Sequence, residues 1–123
     1  MTTRILYVDD EDDIREVAVF ALELDPELEV RSAASGTQAL DVLSSWRPDL
    51  VLLDVMMPGM DGPDTLARMR ARPDLTDLPV VFITARTQAH EVERFLALGA
   101  AGVIAKPFDP MTLAATAQGY LKG

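Results

Sequence analysis

Three aspartates, a threonine and a lysine stand where short apolar runs end. Asp9 and Asp10 follow Ile5-Leu6-Tyr7-Val8, and Asp54 follows Leu50-Val51-Leu52-Leu53. Thr84 follows Val80-Val81-Phe82-Ile83, and Lys106 follows Gly102-Val103-Ile104-Ala105. If these ends converge, the carboxylates repel one another. Two unit charges about 4 Å apart repel by roughly 4 kcal/mol at an effective dielectric of 20. Whole-domain stability is only about 5–15 kcal/mol. A divalent cation would offset that repulsion. Oxygen donors without a nearby His or Cys favour Mg²⁺ over zinc, and Mg²⁺ commonly pairs one or two carboxylates with waters and a phosphate. A hydroxyl and an ammonium beside such a cation can handle a phosphate. Phosphoryl transfer needs positioning, a metal and charge neutralisation at the equatorial oxygens. An aspartate can itself be the nucleophile, forming an aspartyl phosphate.

The elements that must position these groups are legible in the pattern. The four runs above read as strands, and four of five strand segments are near-continuously apolar once Leu28-Glu29-Val30 is added. A strand buried on both faces reads this way. Helical spacing lies between them. Ile14, Val17, Ala18, Ala21 and Leu22 share one face, as do Ala39, Val42, Leu43 and Trp46. Leu66 and Met69 mark a shorter helix, Ala89, Val92 and Leu96 a fourth, and Leu113, Ala117, Tyr120 and Leu121 a last one over Met111 to Lys122. Pro26, Pro48, Pro73 and Pro79 disfavour helix at the preceding residue, and Gly36, Gly62 and Gly99 fall at helix or loop ends. Strand and helix alternate five times. That order predicts an α/β fold with a parallel sheet and helices on both faces. In such sheets ligands bind beyond the carboxyl ends of the strands, where strand order reverses.

Composition narrows the function. The 123 residues match one domain, 1–123, with no output domain and no linker. Eleven basic against 20 acidic residues give a net charge of −9. That balance argues against nucleic-acid binding, which needs clustered Lys and Arg. The absence of cysteine excludes disulfides, thiolate metal sites and cysteine nucleophiles, and suits a reducing cytoplasm. The N-terminal segment reaches Asp9 and Asp10 too soon for a signal peptide. No apolar run approaches the roughly 20 residues that span a bilayer.

Taken singly, each residue has a plainer reading. Asp9 and Asp10 also fit the N-terminus of the first helix, where acidic groups are favoured, and Glu11 and Asp13 are assigned to that role alone. Asp54 alone fits a loop cap, Thr84 a strand end and Lys106 a solvated surface. His90 reads as a surface residue, Trp46 as packing, and Asp61-Gly62 as a turn. It is the combination at four strand ends that argues for a site.

That combination resembles a known family. Ile5 to Glu11, Leu53 to Gly62 (LDVMMPGMDG), Ile83-Thr84-Ala85 and Ala105-Lys106-Pro107-Phe108 together resemble the response-regulator receiver domain, in order and over essentially the full chain. The resemblance implies a flavodoxin-like, doubly wound (βα)5 fold with a central five-stranded parallel sheet in the order 2-1-3-4-5. It implies phosphorylation on Asp54 and Mg²⁺ held by Asp10, Asp54 and the Met56 backbone carbonyl, with Asp9 acting through water. Thr84 and Lys106 would contact the phosphoryl oxygens, and Lys106-Pro107 would be cis. A histidine kinase or phosphotransfer protein would be the donor and a downstream protein the target, with no nucleic acid or membrane partner and a monomer or weak dimer in the cytoplasm. The chain would be a signalling protein rather than a turnover enzyme. Two other readings stay open: a phosphorylation-independent interaction module, and a receiver fragment of a longer regulator or hybrid kinase. One position departs from the family. Val103 stands three residues before Lys106, where an aromatic switch residue is usual. Met56 and Arg86 occupy the family's variable positions and imply a long-lived phosphoryl state.

Overall fold

Five strands, each four to six residues long, are the framework: β1 (Thr3–Val8), β2 (Leu28–Ala33), β3 (Leu50–Asp54), β4 (Val80–Thr84) and β5 (Gly102–Ala105). The computed structural model describes residues 2–121. All neighbouring strands pair in parallel, in the order β2-β1-β3-β4-β5. The chain steps outward from β1 to β2, then returns past β1 to β3. Strand order therefore reverses between β1 and β3, and the crevice expected at such a point opens at their carboxyl ends.

Side chains alternate between the two sheet faces, and this sorts the core into two layers. Leu6, Val8, Val51, Leu53, Val80 and Phe82 pack on one face with residues of α2 (Gly36–Leu43), α3 (Gly62–Arg70) and α4 (Ala89–Ala97). Ile5, Tyr7, Leu50, Leu52, Val81 and Ile83 pack on the other with α1 (Asp12–Glu23) and α5 (Leu113–Gly119). Trp46 is buried in the first layer just beyond α2, so it is a packing residue as expected. Its Nε1 donates to Glu29 Oε2 at 3.1 Å, which gives the buried indole its polar partner.

Three helical expectations need correction. In α4 the residue that anchors the helix is Phe95, tilted against Phe82 with ring centroids 5.1 Å apart. Leu96 is exposed and Val92 only half-buried. The stripe Ala89-Val92-Leu96 followed small and branched residues and missed the aromatic, which buries more apolar area. In α1, Ala18, Ala21 and Leu22 are buried, whereas Val17 is exposed. In α5 the helix runs only from Leu113 to Gly119, with Tyr120 as its cap; Lys122, given above as its end, lies outside the described residues. Tyr120 stays on the expected face with Leu113, Ala117 and Leu121 and covers Gly102, where an added Cβ would lie 2.2 Å from the ring.

Candidate functional site

Sheet register brings the polar strand ends to one rim. Val8 pairs with Leu53, Asp54 with Ile83, and Thr84 with Ala105. Asp9 and Asp54 are thus neighbours across β1 and β3, and Lys106 follows one step beyond Thr84. One ligand oxygen from each of Asp9, Asp10 and Asp54 lies within 4.8 Å of the others. Asp9 and Asp54 are buried and Asp10 half-buried.

Asp54 is the last residue of β3. The chain then turns back tightly: the Gly62 N–H donates to Val55 O at 2.9 Å. A Cβ on Gly62 would stand 2.6 Å from the Asp54 carbonyl oxygen, so no larger residue fits without shifting that backbone. Asp61 caps α3, its Oδ1 accepting the Asp64 N–H at 2.8 Å; it is a helix cap in addition to the turn residue expected. The turn passes through Gly59 at φ +75, a conformation glycine adopts without a Cβ clash.

The donors are distributed unevenly. Asp9 Oδ1 accepts the Glu11 N–H at 2.9 Å, and Asp9 Oδ2 accepts the Tyr7 hydroxyl at 3.1 Å and Lys106 Nζ at 3.0 Å. Its backbone carbonyl accepts Arg15 Nη1 at 2.8 Å. Asp54 Oδ2, by contrast, is buried with no hydrogen-bond donor among the described residues; Lys106 Nζ is 3.5 Å away as an ion pair. Burial, and after it the Asp9 charge, push the Asp54 carboxyl up to about 6, against the pull of Lys106 and the Met56 backbone amide. Burial works against the Lys106 charge, but its hydrogen bond to Asp9 and the charges of Asp54 and Asp9 outweigh it and raise the pKa. Thr84 is buried, and its Oγ1 accepts the Arg86 N–H at 3.0 Å. The Met56 and Arg86 side chains are exposed. Lys106-Pro107 is cis. Val103 is half-buried against the α2–α3–α4 layer.

Two residues of the site were missed from sequence. Glu11 was given only a helix-start role, yet it sits 3.4 Å from Lys106 Nζ. Tyr7 was read only as part of an apolar strand. A signal for it existed: residues two apart on an extended chain share a face, so a tyrosine two positions before Asp9 points its hydroxyl the same way. Lys106, for its part, is largely buried rather than solvated.

An unpartnered buried carboxylate oxygen is costly. Here it faces two further carboxylates, and among the described residues no His or Cys joins the cluster. This donor set fits a hard divalent cation that takes oxygen ligands, and the cluster can hold one.

Fold and crevice together define an open α/β protein with an acidic, cation-ready site at its strand-order reversal. The chain belongs to the response regulator receiver domain family, whose model matches residues 5–118. It is 38% identical over 120 residues to the transcriptional regulatory protein CseB of Streptomyces avermitilis, covering 98% of this chain and 49% of that protein. It is 38% identical over 122 residues to the DNA-binding response regulator MtrA of Mycobacterium tuberculosis, covering 99% and 52%. The chain spans about half the length of the curated relatives it matches. Among solved structures it is similar to the chemotaxis response regulator CheY4 of Vibrio cholerae, with a TM-score of 0.90 and 32% identity over 98% of this chain and 99% of that one. Receiver domains are the signalling modules of two-component systems. Among the described residues no helix is long and apolar enough to cross a membrane.

Proposed function

We propose that this chain is a phosphorylation-switched signalling domain whose acceptor is Asp54. The observation that carries the reading is the Asp54 Oδ2 atom: buried, without a hydrogen-bond donor, and 3.5 Å from Lys106 Nζ. Asp10, Asp54 and the Met56 backbone carbonyl would hold Mg²⁺, with Asp9 acting through water. When bound, Mg²⁺ supplies positive charge to the phosphoryl oxygens and to the attacking carboxylate. The Asp54 carboxylate attacks the donor's phosphorus. The bond to the donor's nitrogen or oxygen breaks, and the electron pair leaves with the donor. Lys106 neutralises one equatorial oxygen, and the Thr84 hydroxyl donates to another. The donor is a histidine kinase or phosphotransfer protein, and the readout is binding of a downstream protein. The phosphoryl group shifts the population of two states only by its differential interaction with them.

A second reading concerns context and rests on the half-length match to CseB and MtrA. In it the same domain, residues 1–123, serves as the switch within a longer regulator. The chemistry at Asp54 is common to both.

Incubation with acetyl phosphate and Mg²⁺, followed by intact-protein mass measurement, tests the acceptor. The expected result is one added phosphoryl group in the wild type and none in Asp54→Asn. Stoichiometric labelling of Asp54→Asn would move the acceptor elsewhere. An unlabelled wild type would favour the phosphorylation-independent interaction module.

A further inference from the structure

Asp9 Oδ2 is shared by two donors, Lys106 Nζ at 3.0 Å and the Tyr7 hydroxyl at 3.1 Å. The two differ in what they are free to do. Lys106 ends a flexible stem and stands 3.5 Å from Asp54 Oδ2 and 3.4 Å from Glu11 Oε1. Tyr7 has no accessible surface and is fixed by its strand. Its ring meets Phe108 edge-on, with centroids 6.4 Å apart, and lies in the core layer beneath α1 and α5. Extended backbone on either side of Val8 puts Tyr7 and Asp9 on the same face.

This inference rests on the proposed acceptor role of Asp54. We infer that Tyr7 is a positioning residue for phosphoryl transfer: its buried hydroxyl keeps Asp9 Oδ2 satisfied when Lys106 turns from Asp9 to the incoming phosphoryl oxygen. Asp9 is fully buried, and a buried carboxylate oxygen stripped of its donor is costly. With Lys106 as the sole donor, that cost would fall on the transfer step itself. With Tyr7 in place, Lys106 can move without orphaning Asp9. The tyrosine therefore acts through Lys106 and touches neither phosphorus nor metal.

The test is Tyr7→Phe, which keeps the ring and its contact with Phe108 and removes one oxygen. Labelling rates with acetyl phosphate and Mg²⁺ are measured for the wild type, Tyr7→Phe, Lys106→Met and the double variant. Affinity for beryllofluoride, a phosphoryl mimic, is measured with Mg²⁺ as a readout independent of turnover. Tyr7→Phe is expected to slow labelling and weaken beryllofluoride binding, each by about five-fold or more. In the Lys106→Met background the same substitution should change either by less than two-fold, because the donor it serves is gone. Equal rates for the wild type and Tyr7→Phe would overturn the inference while leaving Asp54 as acceptor. So would a Tyr7→Phe effect of the same size with and without Lys106, which is the mark of simple packing. Absence of labelling in the wild type would overturn the acceptor reading and the role of Tyr7 together.

Discussion

On the β1 side of the crevice, Asp9 has a donor on each carboxylate oxygen and on its backbone carbonyl, drawn from Tyr7, Glu11, Arg15 and Lys106. On the β4 side, Thr84 Oγ1 accepts one bond from the Arg86 amide, residues 85–90 are exposed, and α4 buries only Phe95. The first flank joins the β1–α1 stretch to Lys106 from beyond β5 and is cross-braced. The second is a short exposed loop leading into a helix held by a single aromatic. Local opening costs least where few apolar groups are buried. The difference teaches where opening costs least: the β1 rim is a braced charge template, and the looser β4–α4 flank is the candidate responder. Val103, half-buried beside that responder, is short and stiff at χ1. It offers no aromatic ring to rotate at that position.

The strongest way to break this contrast is at Phe95. Phe95→Ala should cost about 3–5 kcal/mol, in the range for a buried phenylalanine, as measured by urea denaturation. Amide exchange in α4 should speed up before that in β1 does. A loss under about 1 kcal/mol would mean that α4 has other anchors, and the contrast would fail.

Next in size is the pH dependence of the metal-free protein. Asp54 has its folded pKa raised from 3.8 to about 6. Between those values the native state binds more protons than the unfolded state, so stability falls as pH rises. The Asp54 contribution is present below about pH 4 and gone above about pH 6, a change of up to about 3 kcal/mol. Asp54→Asn cannot titrate. Without metal at pH 7.5 it should be the more stable protein, and the gap should close towards pH 4. Parallel stability curves for the two proteins would show that the β1–β3 carboxylates are not under electrostatic strain.

The smallest effect sharpens the same point from the ligand side. Mg²⁺ at ten times its dissociation constant should stabilise the native state by about 1.4 kcal/mol, roughly 4–6 °C in melting temperature for a domain of this size. Asp10→Asn should remove most of that rise. A melting temperature indifferent to millimolar Mg²⁺ would count against the cluster as a cation site.

Much of this was legible in the residues. Apolar runs alternating with helical stripes gave the five βα units, because burial on two faces or one imposes different periods on a sequence. Asp9, Asp10, Asp54, Thr84 and Lys106 stood out because each interrupts an apolar run at its end. The α4 face was misread because a stripe of Ala89, Val92 and Leu96 fits helical spacing as well as one through Phe95 does. Only the position of Phe82 decides between them. Glu11 was undervalued because an acidic residue at a helix start has a sufficient local explanation, and its partner lies 95 residues away.

The order of elements, the polar strand ends and the lack of thiolate ligands follow from the sequence by itself, since each depends on residue type and spacing along the chain. The distribution of donors within the crevice does not. Which carboxylate is saturated and which is left bare depends on the register of β1, β3, β4 and β5 and on a lysine brought from the far end of the chain. Hydrogen bonds act over about 3 Å, and only the folded sheet fixes distances between remote residues on that scale.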